Sequence, residues 1–149
     1  MKLKITAIIP VRKNSKRLKN KNFLPFFKNK SLLELKIEQL KRIKFIHKIV
    51  VSSDSLKSQK IAKKYNVAFH KRETYFASSK CSGSDFFKNL AESIEGDYLV
   101  YCPCTSPIIK NETYKFFFRN FLKLKNRYDS FNTVSKLKTF IWKKKTCYF

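Results

Sequence analysis

Three cationic side chains stand where apolar, strand-like runs give way to polar loops. Arg12 and Lys21 follow the first apolar run, 5–10, and Arg72 follows the short run 67–69. Guanidinium and ammonium groups bind phosphate oxygens through charge-assisted hydrogen bonds, and arginine can do so with two parallel bonds. These residue types therefore predict an anionic ligand, most simply a polyphosphate. Taken alone, the first loop is explained equally well as a solvated basic loop of a basic protein.

Polar residues follow other strand-like runs as well. Asp54 comes directly after the run 47–53, and Thr105-Ser106 comes shortly after the run 98–102. Because the carboxyl ends of parallel strands border one crevice, we expect these residues and the cationic loops along the same edge of a sheet. Polar loops are common at strand ends, but their convergence favours an anion site. The sequence has no Walker motif, no G-x-G-x-x-G and no Ser/His/Asp or Cys/His arrangement suited to hydrolysis.

The elements that must position these residues alternate along the chain. Ser31 followed by Glu34 is a capping-box pattern, and the helix after it has an apolar face, with lysine and glutamate on the other side. The predicted strands are 5–10, 47–53, 67–69, 98–102 and 130–134. The predicted helices are 31–43, 55–65, one that starts at Ser82 or Ser84 and ends at about residue 94, and 111–125. This alternation is typical of an α/β fold with a mostly parallel sheet and helices on both faces. We expect one domain, 1–149, and its closing apolar residues 140–142 indicate a domain that is truncated at the C-terminus.

The charge of the chain raises a second class of function. The net charge is +24, and 28 of the 34 basic residues are lysines scattered over every segment. A basic nucleic-acid-binding module would have this sign of charge, but dispersed lysines mainly keep a surface hydrated, whereas arginines make the bidentate phosphate contacts. We therefore expect no specific nucleic-acid partner. No apolar run approaches the ~18 residues of a membrane span, so we expect no membrane association and a cytoplasmic location.

The cysteines and histidines give no sign of a metal centre. The four cysteines form no Cys-x-x-Cys pair, and His47 and His70 have no ligand spacing. Cys102 and Cys104 are predicted to lie on the same face of a strand as buried, reduced thiols.

Four motifs carry a resemblance to a known family. They are Ile8–Leu18 with Lys21-Asn22, then Val50–Asp54, then Arg72 followed by the serine-rich loop 78–82, and finally Thr105–Pro107 after a hydrophobic strand. In order and spacing they resemble the acylneuraminate cytidylyltransferases, which are the CMP-sialic acid synthetases and their relatives acting on other 2-keto-3-deoxy sugars. The resemblance runs from about residue 5 to residue 134.

The resemblance implies a Rossmann-like α/β/α nucleotidyltransferase fold and a reaction. The anomeric hydroxyl of an acidic, N-acylneuraminate-like keto-sugar attacks the α-phosphate of CTP, giving a CMP-sugar and pyrophosphate, normally with Mg²⁺. By resemblance, Arg12 and Lys21 are the catalytic, triphosphate-binding residues, with Lys16 as a further nucleotide-binding candidate. Asn22, Arg72 and Ser82 would contact the cytidine. A homodimer is possible.

The sequence also departs from the family pattern. Lys13-Asn14 stand where the family has small residues, and Pro103 stands where a glutamine helps to read the base. The family's metal-binding aspartates, much of its sugar pocket and its dimerisation arm lie beyond the last residue, so no metal ligand is assigned. The leading interpretation is the CTP-binding portion of a CMP-sugar synthetase. The alternatives are a catalytically incomplete nucleotide- or partner-binding protein with the same fold, and the nucleic-acid-binding module.

Overall fold

A computed structural model describes residues 3–13, 18–134, 141–143 and 146–148 of the chain, the last two segments by their backbone alone. The chain divides into two compact units, Met1–Lys115 and Phe116–Phe149. The site residues singled out above fall in the first unit. The single domain expected from the sequence stays a prediction.

The first unit contains a four-stranded sheet with helices between its strands. In chain order the elements are β1 (Ile5–Val11), β2 (Pro25–Phe27), β3 (Lys30–Ser31), α1 (Leu32–Lys41), β4 (Lys48–Ser53), α2 (Leu56–Lys64), β5 (Ala68–Lys71), α3 (Thr74–Ala77), α4 (Gly83–Ser93), β6 (Tyr98–Tyr101), α5 (Asn111–Leu124), β7 (Ile141–Lys143) and β8 (Thr146–Tyr148). Helix α5 crosses the boundary between the units. No helix in the described part of the chain has the length and apolar character that crossing a bilayer requires.

The sheet is parallel throughout, in the order β5-β4-β1-β6. Strand β1 is central, and the chain moves outward from it to β4 and β5 before returning to β6 on its other side. This reversal places a topological switch point between β1 and β6, where α/β sheets bind ligands beyond the carboxyl ends of their strands. The loops that follow β1 and β6 therefore border the candidate crevice.

Both faces of the sheet are covered, as the sequence predicts. Ile8 of β1 and Val50 of β4 are register partners and pack in one buried cluster with Leu90 and Ile94 from the α4 segment. Because side chains alternate along a strand, the neighbouring residue Ile9 points to the opposite face, where it has no exposed surface. Helix α1 contacts β1 and β4, and α2 contacts β4 and β5. The predicted α/β fold with a parallel sheet is confirmed.

Helix α1 begins with the predicted capping box, but one of its lysines was wrongly assigned to the solvent side. The Glu34 backbone N–H donates to the Ser31 hydroxyl at 3.3 Å, and the Ser31 N–H donates to the Glu34 carboxylate at 2.9 Å. The lysines of α1 were assigned to the solvent side, yet Lys36 is only 2% exposed. It lies three residues after Leu33 and four before Leu40, which puts it on the apolar stripe itself.

Two further predictions are wrong. Residues 130–134 form no strand, and the solvent exposure of Val134 (91%) shows that this short segment gives its apolar side chain no surface to pack on. Strand β6 ends at Tyr101, so Cys102 and Cys104 lie in the loop after it and not on a strand, although both are buried as expected. Pro103 ends the ladder because it has no N–H to donate.

Candidate functional site

The loop after β1 is tied to the neighbouring strand end. The Lys13 backbone N–H donates to Asp54 Oδ1 at 2.8 Å, and Asp54 directly follows β4. This bond fixes the exit of β1 and leaves the Arg12 side chain exposed beside it. Lys16 lies outside the described residues.

Arg72 is the most restrained of the predicted site residues. Its side chain is 3% exposed, and its guanidinium donates through Nη2 to the Ser52 carbonyl at 2.5 Å and through Nε to the Ser52 hydroxyl at 3.3 Å. The guanidinium also lies 4.9 Å from the centroid of the Phe86 ring. Two of the five N–H groups are thus committed to Ser52, and within the described residues no other acceptor is hydrogen-bonded to this guanidinium.

The charges that act on Arg72 come from predicted residues of two other loops. Burial lowers the pKa of Arg72, Asp54 opposes that shift, and the positive charge of Arg12 adds to it. Such effects operate over short distances, so Arg12, Asp54 and Arg72 occupy one neighbourhood at the carboxyl ends of β1, β4 and β5. The arginine stays charged at any physiological pH because its ordinary pKa exceeds 12.

Tyr101, at the end of β6, completes this neighbourhood and was missed by the sequence reasoning. Burial raises the pKa of Tyr101, while the charges of Arg72 and Arg12 lower it. Its ring packs edge-on against Phe86 and Phe87 at 6.3 and 5.3 Å between centroids. It was read only as a strand residue; its place as the last residue of a strand beside the switch point is the signal that could have identified it.

Lys21 and Asn22 lie in a short 3-10 turn, Lys21–Phe23, which Asn20 enters with a left-handed backbone (φ 58°). The Asn22 side chain is 8% exposed, and its Oδ1 has no hydrogen-bond partner among the described residues. A buried carbonyl oxygen without a donor costs roughly 1–3 kcal/mol, so this atom is suited to accept a bond from something that enters the site.

The positive charge of Lys21 affects the pKa of a thiol in the loop after β6. Burial raises the pKa of the Cys104 thiol to about 12, and the positive charges of Lys36 and Lys21 oppose the shift. The turn that carries Lys21 therefore lies near the Cys104 end of that loop.

Ser82 has a structural task in addition to its predicted one. It is the N-cap of α4, where its hydroxyl accepts a hydrogen bond from the Asp85 backbone N–H at 3.0 Å. The serine side chain is exposed, and its own O–H proton remains available for donation.

Two side chains of α1 donate hydrogen bonds to the loop after β6. The sequence reasoning did not predict these bonds. Lys36 Nζ donates to the Ser106 carbonyl at 2.8 Å, and the Gln39 side chain donates to the Ile109 carbonyl. Thr105 and Ser106 thus keep a defined position at the crevice, where the sequence predicted polar groups.

The described residues do not identify the ligands of a magnesium ion. They contain no group of three His, Cys, Asp or Glu side chains arranged to bind a metal ion. Asp54 is at the crevice, but one of its oxygens accepts the Lys13 bond, and Asp97 accepts from the Lys4 N–H at the opposite end of β1. Mg²⁺ is usually held by one or two carboxylates together with water and substrate phosphates. No step of the chemistry below is assigned to it.

The parallel sheet and its switch point are shared with solved structures of cytidylyltransferases, which have an α/β nucleotidyltransferase fold. One solved structure, of a CMP:2-keto-3-deoxy-manno-octonic acid synthetase complexed with CTP, superposes with a TM-score of 0.65 at 16% identity and covers 80% of this chain and 48% of its own. A cytidylyltransferase from Leptospira borgpetersenii superposes with the same TM-score of 0.65 at 23% identity, over 84% of this chain and 51% of its own. At these identities the likeness establishes the fold.

The family follows from the sequence comparisons. The family model described as cytidylyltransferase matches residues 6–146, so the chain belongs to that family. The N-acylneuraminate cytidylyltransferase of Escherichia coli O18:K1:H7 is 40% identical over 98 residues, which are 66% of this chain and 23% of that protein. A Helicobacter pylori protein named pseudaminic acid cytidylyltransferase and UDP-2,4-diacetamido-2,4,6-trideoxy-beta-L-altropyranose hydrolase is 40% identical over 67 residues, 45% of this chain and 13% of that one. The chain thus spans less than a quarter of these curated relatives and about half of the solved structures.

Proposed function

We propose that this chain forms the CTP-binding part of an enzyme that transfers CMP from CTP to an acidic keto-sugar. The observation that carries the proposal is the convergence of Arg12, Arg72 and Tyr101 at the switch point of a cytidylyltransferase fold. In the proposed reaction the anomeric oxygen of the sugar bonds to the α-phosphorus, the bond from that phosphorus to the leaving pyrophosphate oxygen breaks, and the hydroxyl proton passes to solvent. The catalytic demand is positioning and neutralisation of charge on the phosphate oxygens.

The proposed triphosphate ligands are Arg12 and Lys21, with Lys16 as a further one. Arg12 extends from an anchored strand exit, because the adjacent Lys13 N–H is bound to Asp54. Lys21 lies in the 3-10 turn of the same connection, and its charge acts on Cys104 in the loop after β6. Both cations belong to the connection between β1 and β2, one at the exit of β1 and one in the 3-10 turn. They can bind different phosphates of one triphosphate, which is what stabilising a leaving pyrophosphate requires.

The proposed cytidine ligands are Asn22, Arg72 and Ser82. The unpartnered Oδ1 of Asn22 is an acceptor suited to the 4-amino group of cytosine, a donor that uracil lacks. The guanidinium of Arg72 is held by Ser52, so its remaining N–H groups are preorganised for carbonyl or hydroxyl oxygens of the nucleoside. Ser82 can donate its free proton.

The sugar substrate is proposed by analogy with the relatives. Two of them are named for N-acylneuraminate and for pseudaminic acid. We propose an acidic sugar of that chemical class, with sialic acid as the first compound to test. Magnesium belongs to the proposal only as the counter-ion that accompanies CTP, and a homodimer is a further proposal about the assembly.

A nucleotide panel tests the first step. Thermal unfolding is followed with Mg²⁺ and CTP, UTP, ATP or GTP, at low and high salt. We expect CTP to raise the melting temperature most and to do so at both salt concentrations, because the site reads the base as well as the charge. Equal stabilisation by all four nucleotides that disappears at high salt would contradict a specific site.

A second assay tests the chemistry. Pyrophosphate release is measured after CTP is mixed with N-acetylneuraminate or a related keto-sugar. Release that depends on both substrates supports the proposed transfer. Selective CTP binding without release would indicate instead a nucleotide-binding protein that is catalytically incomplete.

A further inference from the structure

A buried lysine lies directly beneath the loop that follows β6. Lys36 is 2% exposed, and its ammonium donates to Gln39 Oε1 at 2.7 Å, to the Ser106 carbonyl at 2.8 Å and to the Tyr114 hydroxyl at 3.2 Å. An ammonium has three N–H groups, so each one has an acceptor. Burying a charge is expensive unless it is fully hydrogen-bonded, and this one meets that condition.

The acceptors of Lys36 come from three separate elements. Gln39 is on α1, Ser106 is in the loop after β6, and Tyr114 is at the start of α5. Two residues of the loop, Pro103 and Pro107, have no N–H group to donate. The carbonyls of Ser106 and Ile109 are gripped from α1 by Lys36 and Gln39.

The same ammonium is electrostatically coupled to the crevice. Burial raises the pKa of Cys104, and the charges of Lys36 and Lys21 both oppose that shift. Both lysine charges therefore act on this thiol, which lies in the loop after β6. A positive charge in this position supplements the field at the crevice without being exposed to solvent ions.

We propose that Lys36 is a positioning residue for the nucleotide site: its ammonium pins the 103–109 loop against α1 and sets the place of Thr105 and Ser106 at the crevice. The inference rests on the proposed function. It assigns a nucleotide-binding consequence to a buried residue that supports a loop of the crevice. A purely structural role would change only the stability of the fold, so the proposal predicts a loss of CTP affinity beyond any loss of folded protein.

The test compares three variants of the full chain by CTP affinity, thermal unfolding and hydrogen exchange of the 103–109 amides. Lys36→Met removes the charge and the donors at similar volume, Lys36→Arg keeps both, and Lys63→Met removes an exposed lysine of α2 as the matched control. We expect Lys36→Met to weaken CTP binding about tenfold and to speed exchange in the loop. Its melting temperature should fall, because three buried acceptors lose their donor, but the variant should remain folded at the temperature of the binding assay. Lys36→Arg should recover most of the affinity, and Lys63→Met should lose none.

Tyr114→Phe provides a second, milder variant, because it deletes only one acceptor of the ammonium. We expect it to weaken CTP binding by a smaller factor, about twofold to fivefold, with its fold intact. Wild-type CTP affinity and loop exchange in both Lys36→Met and Tyr114→Phe would overturn the proposal, as would a loss of affinity that merely follows a loss of folded protein. If the wild-type chain itself shows no CTP preference, the proposed function fails and not this inference alone.

Discussion

At the scale of single residues, Arg72 combines burial with a charge that cannot be neutralised by losing a proton. Ser52 accepts two of its hydrogen bonds, and the Phe86 ring covers one side of the guanidinium. An arginine held in this way has lost most of its side-chain freedom before any ligand arrives. The remaining cost of ordering it on binding is small, which is the physical meaning of a preorganised site.

Arg12 differs from Arg72 because it is exposed, and this makes it the cleaner residue to substitute. Arg12→Ala is expected to reduce CTP affinity by about a hundredfold, since the proposed charge-assisted contact with the triphosphate would be lost, and to leave the melting temperature unchanged. Calorimetric titration and thermal unfolding measure the two effects separately. Arg42→Ala, which removes an exposed arginine at the end of α1, is the control and should bind CTP normally. Unaltered CTP affinity in Arg12→Ala would remove the centre of the proposed site.

His70 gives the protein a pH dependence whose sign can be worked out. Burial lowers its pKa from the ordinary value, and the neighbouring charge of Arg72 lowers it further, while Nδ1 lies 3.0 Å from the Ser52 hydroxyl. Below pH ~6.5 the unfolded chain takes up a proton on His70 more readily than the folded chain does. The free energy of unfolding therefore falls as the pH drops from ~6.5 towards the lower pKa of the folded state. Above pH ~6.5 His70 is neutral in both states, and no stability is lost through its protonation.

Urea unfolding at about pH 7.5 and about pH 5.5 measures this effect. We expect the loss of unfolding free energy on acidification to be smaller in His70→Gln than in the wild type. An equal loss in both proteins would show that His70 does not contribute to it.

At the scale of elements, the turn of the hairpin β2–β3 contains backbone strain that substitutions can relieve. Phe27 and Lys30 are register partners, so Lys28 and Asn29 form a two-residue loop, and both have a left-handed backbone, with φ of 48° and 57°. This is the geometry of a type I′ turn, for which Asn-Gly is the preferred pair. Asparagine tolerates this left-handed conformation. At Lys28 it is strained, because the lysine Cβ comes too close to the following carbonyl oxygen.

Replacing the turn by Asn-Gly, through Lys28→Asn and Asn29→Gly together, is expected to raise the free energy of unfolding by about 1 kcal/mol. Chemical denaturation provides the measurement. Lys28→Ala is the matched control, because it removes the same charge without introducing asparagine or glycine, the residues that tolerate a left-handed backbone, and it should give no gain. A gain of the same size in Lys28→Ala would attribute the effect to charge and not to backbone conformation.

At the scale of the whole molecule, the net charge of +24 must produce non-specific attraction to polyanions. Binding to a mixed-sequence DNA duplex is expected at low salt and should be largely lost at about 0.3 M NaCl, because it depends on released counter-ions. The CTP-specific shift should survive the same change, since a partly buried site is screened less. Fluorescence anisotropy and thermal unfolding report the two. Tight DNA binding that persists at high salt would favour a nucleic-acid function.

The sequence predicted the parts of this molecule that depend on periodicity and on turn chemistry. The parallel strands and the intervening helices follow from apolar spacing, and the start of α1 follows from Ser31 and Glu34. Burial of Lys36 was not predicted, because residue type outweighed position: a lysine was assigned to solvent although its spacing from Leu33 and Leu40 placed it on the apolar stripe.

The parts of the site that depend on distant neighbours were beyond the sequence. Arg72 was singled out, but its bonds to Ser52 require two strands in register, and Tyr101 gains its role only when β6 lies beside β1. The irregular residues 130–134 show the reverse case, where a short apolar pattern found no partner strand to pair with.

The strand order also bears on how the sheet assembles in time. Ile5 of β1 pairs with Tyr98, whereas Thr6 pairs with Lys48 on the other side, so the two halves of the sheet close loops of very different length. Because long-range pairing carries the larger entropic cost of chain closure, we expect β1, β4 and β5 to associate first and β6 to join late. The crevice between β1 and β6 is therefore among the last features of this unit to form, and during synthesis one edge of the central strand waits, unpaired, for β6 to leave the ribosome.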